Sequence, residues 1–227
     1  MTWAENLYRY YSELEPPKEL PNNIQWLFPQ QDKAVLDVVR RFLDKYYNDS
    51  ERRTLLLGIN PGRFGAGITG VNFTASRQLE EVLQMDHPFK KGTELSAEFI
   101  YRVIEAYGGP GPFYQNFFIG SVCPLGFVQN GKNLNYYDDK ELLRTIEPFL
   151  VQSISRLVSF GVDQRRCLVI GGAENFRYLS ALNGRYRWFE HLEPLPHPRF
   201  VMQYKRKSLP AYVDLYLEKL SAAGDAS

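Results

Sequence analysis

Three short segments carry side chains able to do chemistry, each beside an apolar run. The first is Gly58-Ile59-Asn60-Pro61-Gly62-Arg63-Phe64-Gly65, which follows Thr54–Leu57 and continues through Gly70 to Phe73. Pro61 stiffens the chain behind Asn60, a good way to hold a side-chain amide in place. Phe73 is an aromatic able to cover a planar ligand. The second segment sets Ser121 just ahead of Cys123-Pro124-Leu125. In the third, His197 stands between Pro196 and Pro198 and heads a stretch holding Arg199, Phe200, Met202, Tyr204, Lys205, Arg206 and Lys207, with no acid between Glu193 and Asp214. Basic residues mixed with insertable apolar ones suit phosphate contacts plus a wedge between stacked bases. A solvated face is the plainer alternative for that run. A tight structural connection is the plainer one for Gly58–Gly70, since glycine supplies positive φ and close approach.

The elements that must position these residues follow from periodicity. Apolar runs at Thr54–Ile59 and Arg166–Ile170 read as strands buried on both faces, and Gln115–Val122 and Trp188–Leu195 as further strands. Trp3–Glu13, Gln31–Tyr47, Arg77–Leu83, Ala97–Tyr107, Asp138–Phe160, Glu174–Leu182 and Leu209–Leu220 read as helices, with Pro148 expected to kink or break the fifth. Strands alternating with helices predict a three-layer α/β fold with a largely parallel sheet. Ligands bind such sheets outside the carboxyl ends of the strands, where Asn60, Ser121 and His197 all fall. The 227 residues fit one domain, 1–227, with a helical N-terminal extension to about residue 50.

Several classes are excluded. Gly65-Ala66-Gly67-Ile68-Thr69-Gly70 spells a dinucleotide glycine pattern, but an Asn-Pro-Gly-Arg-Phe insertion separates it from the strand, and no acidic residue closes a second strand at the required distance. No P-loop lysine is present. His191-Leu192-Glu193 lacks the P-C-x-x-C partner of a zinc deaminase. Two cysteines, Cys123 and Cys167, make neither a disulfide framework nor a zinc knuckle. No metal or organic cofactor is therefore expected. With 27 basic and 26 acidic residues the net charge is +1, which is unlike a histone-type binder, though a local basic patch can hide in a balanced total. No apolar stretch approaches the ~18 residues of a membrane span. Met1–Asn6 shows no basic-then-apolar pattern, so a cytoplasmic protein without a membrane or an obligate protein partner is expected, nucleoid-associated if bacterial.

Gly58–Gly65, continuing into Thr69-Gly70-Val71-Asn72-Phe73, resembles the first motif of the single-strand-selective monofunctional uracil-DNA glycosylases, approximately G-M-N-P-G-P-F-G then T-G-V-P-F. Cys123-Pro124-Leu125 and Gly131-Lys132-Asn133-Leu134 match the middle region in order, and His197-Pro198 matches the start of the final motif. The likeness spans about residues 54–210 and fits a bacterial branch of the uracil-DNA glycosylase superfamily. Two departures stand out. The final motif, usually H-P-S-P-R, here reads His197-Pro198-Arg199-Phe200. The family's uracil-reading Asn is replaced by Ser121. The second change bears on base preference more than on reaction class.

The resemblance implies a three-layer α/β/α fold with a mostly parallel four-stranded sheet. It also implies a repair enzyme that flips uracil from single- or double-stranded DNA and hydrolyses its N-glycosidic bond. Asn60 would position the water and His197 would hydrogen-bond the charge growing on the uracil O2, as an oxyanion-hole donor does. Ile59, Gly62, Phe64, Gly70, Phe73 and Ser121 would bind the base, with Phe73 stacked on the flipped ring. Arg199, Phe200, Met202, Tyr204, Lys205, Arg206 and Lys207 would hold the DNA. Two other readings stay open on the sequence: a catalytically weak nucleic-acid-binding module of the same fold, and an α/β enzyme acting on a free nucleotide or nucleoside.

Overall fold

The computed structural model describes residues 1–221; residues 222–227, which the expected domain includes, lie outside the described residues. Helix α1 (Trp3–Ser12) opens with a capping box, in which the Glu5 N–H donates to Thr2 Oγ1 at 3.2 Å and the Thr2 N–H to the Glu5 carboxylate at 2.9 Å. The short strand β1 (Gln25–Leu27) precedes α2 (Lys33–Tyr46), whose Asp32 cap accepts from the Ala34 N–H and whose Val35, Val38, Val39, Phe42 and Leu43 are buried as the periodicity predicts. Strand β2 (Arg53–Gly58) leads through α3 (Ala66–Thr69) and α4 (Ser76–Glu81) to α5 (Leu95–Ala106) and α6 (Pro110–Asn116). Then come β3 (Phe117–Ser121), β4 (Gly126–Gln129), β5 (Lys132–Leu134), α7 (Lys140–Val158) and β6 (Val162–Ile170). The chain closes through α8 (Gly172–Tyr186), β7 (His191–Leu195), α9 (Pro198–Tyr204) and α10 (Leu209–Ser221).

A four-stranded parallel sheet in the order β3-β2-β6-β7 forms the middle layer of a three-layer α/β/α fold. Every residue of β2 and β3 is buried, because helices cover both faces. The register sets the site. Gly58 pairs with Ser121, and Ile170 pairs with Leu195, so these strands end at one edge of the sheet. Past that edge the Val122 N–H donates to the Gly58 carbonyl at 2.9 Å and the Cys123 N–H to the Ile59 carbonyl at 3.1 Å.

Three features add to the sequence reading. Pro148 lies inside α7 without breaking it, at an exposed position, although it offers no N–H to the Arg144 carbonyl. The stretch after His197, to which the sequence assigned no element, begins as a helix, for Pro198 starts α9 at a first-turn position where its missing N–H costs nothing. A second, antiparallel sheet, β1-β4-β5, turns at Asn130-Gly131 with both residues at positive φ. That is a two-residue hairpin turn of the kind the Asn-Gly pair favours. Among the described residues no helix is long and apolar enough to cross a membrane.

Candidate active site

A cleft of about 450 Å³ opens at the carboxyl edge of the parallel sheet. Asn60, Ser121 and His197 line it from the ends of β2, β3 and β7, and Phe73 from the turn between α3 and α4. Ile59, Gly62 and Arg199 line it as well. Gly171, one residue past β6, completes the floor at φ +146°, where a Cβ would strike Ile59 Cγ1 at 2.6 Å.

Asn60 is held from both ends of its amide. Its Nδ2 donates to the Leu134 carbonyl at 3.1 Å, and its Oδ1 accepts from the Tyr136 N–H at 3.0 Å. The antiparallel sheet thus clamps the side chain. Of the amide, the second lone pair of Oδ1 stays free for a water.

His197 caps α9. Its Nδ1 accepts from the Arg199 N–H at 3.0 Å, which puts the ring proton of the neutral imidazole on Nε2. Burial, helped by the nearby Arg199 charge, pushes its pKa down to about 4. A neutral donor results. The buried Tyr216 hydroxyl on α10 donates to the Pro196 carbonyl and fixes the approach to this residue.

Phe73 adopts the left-handed region at φ +50°, which few non-glycine residues enter. Its ring lies against Gly58, where a Cβ would come within 2.8 Å of Cε2. The Thr69 hydroxyl ties the turn before it, donating to the Thr74 carbonyl at 2.7 Å and accepting from the Val71 N–H at 3.2 Å. The aromatic platform is set by this turn and by the bare backbone beneath it.

Three expected residues are placed elsewhere. Phe64 is 51% exposed on the rim with the Arg63 guanidinium 4.6 Å from its ring centre, outside the cleft lining. Gly70 lies behind the cleft at φ +73°, packed against Val35 and Val39, so its role is to let the turn meet α2. Met202 is buried in the core and cannot reach DNA while α9 stays folded. Arg199, Phe200, Tyr204, Lys205, Arg206 and Lys207 are all exposed, in or just after α9.

Asn72, Glu94 and Asn133 line the cleft without having been singled out from the sequence. Asn72 stands where the resembling motif carries a proline, and that substitution was the visible signal. Asn133 holds the rim, accepting from the Arg63 N–H at 3.3 Å, while the Arg63 guanidinium donates to the Gly131 carbonyl. Glu94 precedes α5 with its carboxylate against Gly65; burial pushes its carboxyl up, opposed by Ser96 and Arg199. Among the described residues no group of three or more His, Cys, Asp or Glu side chains converges to hold a metal ion. The arrangement can therefore offer one neutral hydrogen-bond donor, one clamped amide and one aromatic face to a flat polar ligand.

The model of the uracil DNA glycosylase superfamily matches residues 45–221. The crystal structure of wild-type SMUG2 from Pedobacter heparinus superposes with a TM-score of 0.95 at 36% sequence identity, covering 100% of both chains. With the cleft at the sheet edge and matches of this extent, the chain belongs to the uracil DNA glycosylase superfamily and is a hydrolytic DNA glycosylase.

Proposed function

We propose that the cleft receives a deoxyuridine extruded from DNA and hydrolyses its base–sugar bond, leaving an abasic site. Breaking the C1′–N1 bond puts negative charge on the departing base and positive charge on the sugar, while a water supplies the new C1′–O bond and its released proton neutralises the uracil anion. His197, neutral and with its proton on Nε2, donates to the uracil O2 as charge gathers there. One donor of this kind is worth about 2.7–4 kcal/mol in the transition state. Asn60 directs the water through the free lone pair of its clamped amide. It has no accessible pKa, so the rate depends on stabilising the leaving group. Phe73 stacks on the extruded ring, adding on the order of 1–3 kcal/mol.

The observation that carries this reading is the joining, in one cleft, of a neutral, half-buried histidine donor, a clamped amide and an aromatic platform. Exposed Phe200 and Tyr204 on α9 supply a wedge that duplex DNA requires, which favours action on both single and double strands. Phe64 touches the strand outside the pocket rather than the flipped base. A uracil-containing oligonucleotide, run on a denaturing gel with and without alkali, tests the proposal. Strand scission after alkali alone is the expected outcome. Binding without scission would instead favour a catalytically weak module.

A further inference from the structure

The serine that replaces the family's carboxamide is not alone. Ser121 Oγ lies 3.0 Å from Asn72 Oδ1, and Asn72 Nδ2 lies 3.2 Å from the Ile119 carbonyl and 3.3 Å from the Tyr11 hydroxyl. A backbone carbonyl only accepts, so the amide nitrogen must face Ile119 and the amide oxygen must face Ser121. That oxygen also only accepts. The one proton of the Ser121 hydroxyl is therefore committed to Asn72, and what the serine shows to the cleft is lone pairs.

We infer that Asn72 is a specificity-determining positioning residue, holding Ser121 as a hydrogen-bond acceptor so that the cleft selects bases carrying a ring N–H beside a carbonyl. The inference rests on the reading of the cleft as a uracil pocket. Uracil offers N3–H next to O2, matching an acceptor at Ser121 and a donor at His197. Cytosine offers a lone pair at N3, which meets the serine lone pairs and is repelled. An unrestrained serine would accept from one base and donate to the other, because its proton rotates freely. Fixing that proton turns an indifferent hydroxyl into a reader. Tyr11 belongs to α1, ahead of residue 45 where the family match begins, so the N-terminal helix takes part in the discrimination.

A double-mutant cycle tests the link. Ser121→Ala should lower single-turnover uracil excision about five- to tenfold, the range of one ordinary hydrogen bond, and Asn72→Ala no more than that, since a freed serine can still accept from uracil. The double mutant should lose no more than about tenfold, because Asn72 acts through Ser121. Losses that multiply toward a hundredfold would show two independent roles and overturn the inference. Binding of oligonucleotides bearing hydrolysis-resistant 2′-fluoroarabino uridine or cytidine gives a second readout. The parent's preference for the uridine analogue should shrink several-fold in Asn72→Ala, and an unchanged preference would refute the role. A parent that prefers the uridine analogue but does not cut uracil would sink the functional reading and leave this binding comparison standing. Melting curves check each fold. If Asn72→Ala fails to fold, Tyr11→Phe loosens the same amide and should act in the same direction, with its effect lost in the Ser121→Ala background.

Discussion

His197 couples stability and catalysis to pH in two adjoining ranges. Its folded pKa of about 4 lies below the ordinary 6.5, so between those values the unfolded chain binds more protons than the folded one. Its contribution to stability is complete above pH 6.5 and is lost as pH falls toward 4. Wild-type melting temperatures should therefore drop over that window more steeply than those of His197→Asn, and parallel curves would show the imidazole to be unperturbed. The neutral donor survives through the same window, so single-turnover excision should not lose a His197-dependent limb until near pH 4. We expect Asn60→Ala and His197→Ala each to lower excision at least about tenfold in folded protein, whereas Ser121→Ala costs within about 1.5 kcal/mol, an ordinary hydrogen bond. A serine loss as large as the histidine loss would reverse that ranking. His197 was legible because two prolines and a basic run frame it. Asn72 was not, because Ser121 and Asn72, 49 residues apart in the chain, meet only after β3 pairs beside the turn that carries Phe73.

At the scale of elements, strands were legible wherever burial on both faces left an unbroken apolar run, as in β2 and the end of β6. The antiparallel sheet went unread because two of its strands have three residues each, too few to show a period, although Asn130-Gly131 marked its turn. Helix α9 went unread because a proline at its start looks like a break until its first-turn position is known. The helix changes what the basic stretch can do. It turns Met202 into the core and presents Phe200 and Tyr204, 44% and 72% exposed, on the outer surface. Replacing Lys205, Arg206 and Lys207 by Ala should weaken DNA binding across sequences and flatten its salt dependence, by roughly one unit of slope for each phosphate left without its cation. Binding titrations at several salt concentrations check this, and an unchanged slope would mark the run as a solvated face.

At the scale of the molecule, the segment before the matched family region is part of the interior. Trp3, Leu7, Tyr10, Val38 and Val39 are buried in one cluster with the sheet residues Leu55, Leu57 and Phe118. Arg53, at the start of β2, has a fully buried side chain paired with Asp49 at 2.7 Å, donates to the Tyr114 carbonyl at 2.8 Å and lies over the rings of Trp3 and Tyr47. Hydrogen bonding to this guanidinium holds the Asp49 carboxyl below its usual range. We propose on this basis that the N-terminal helices and the sheet form one folding unit. Removing residues 1–50 would expose the apolar face of β2 and β3 and strip Arg53 of its carboxylate. An uncompensated buried charge alone costs about 3–5 kcal/mol, a large part of a domain's whole stability. The shortened chain should then show no cooperative thermal transition by circular dichroism, and rapid, unprotected proteolysis. Asp49→Asn, which removes the charge and keeps the shape, should fold but melt well below the parent. A truncated chain melting cooperatively within a few degrees of the full one would make the N-terminal helices an appendage, and with it end the case for Tyr11 as a support of the base-reading pair.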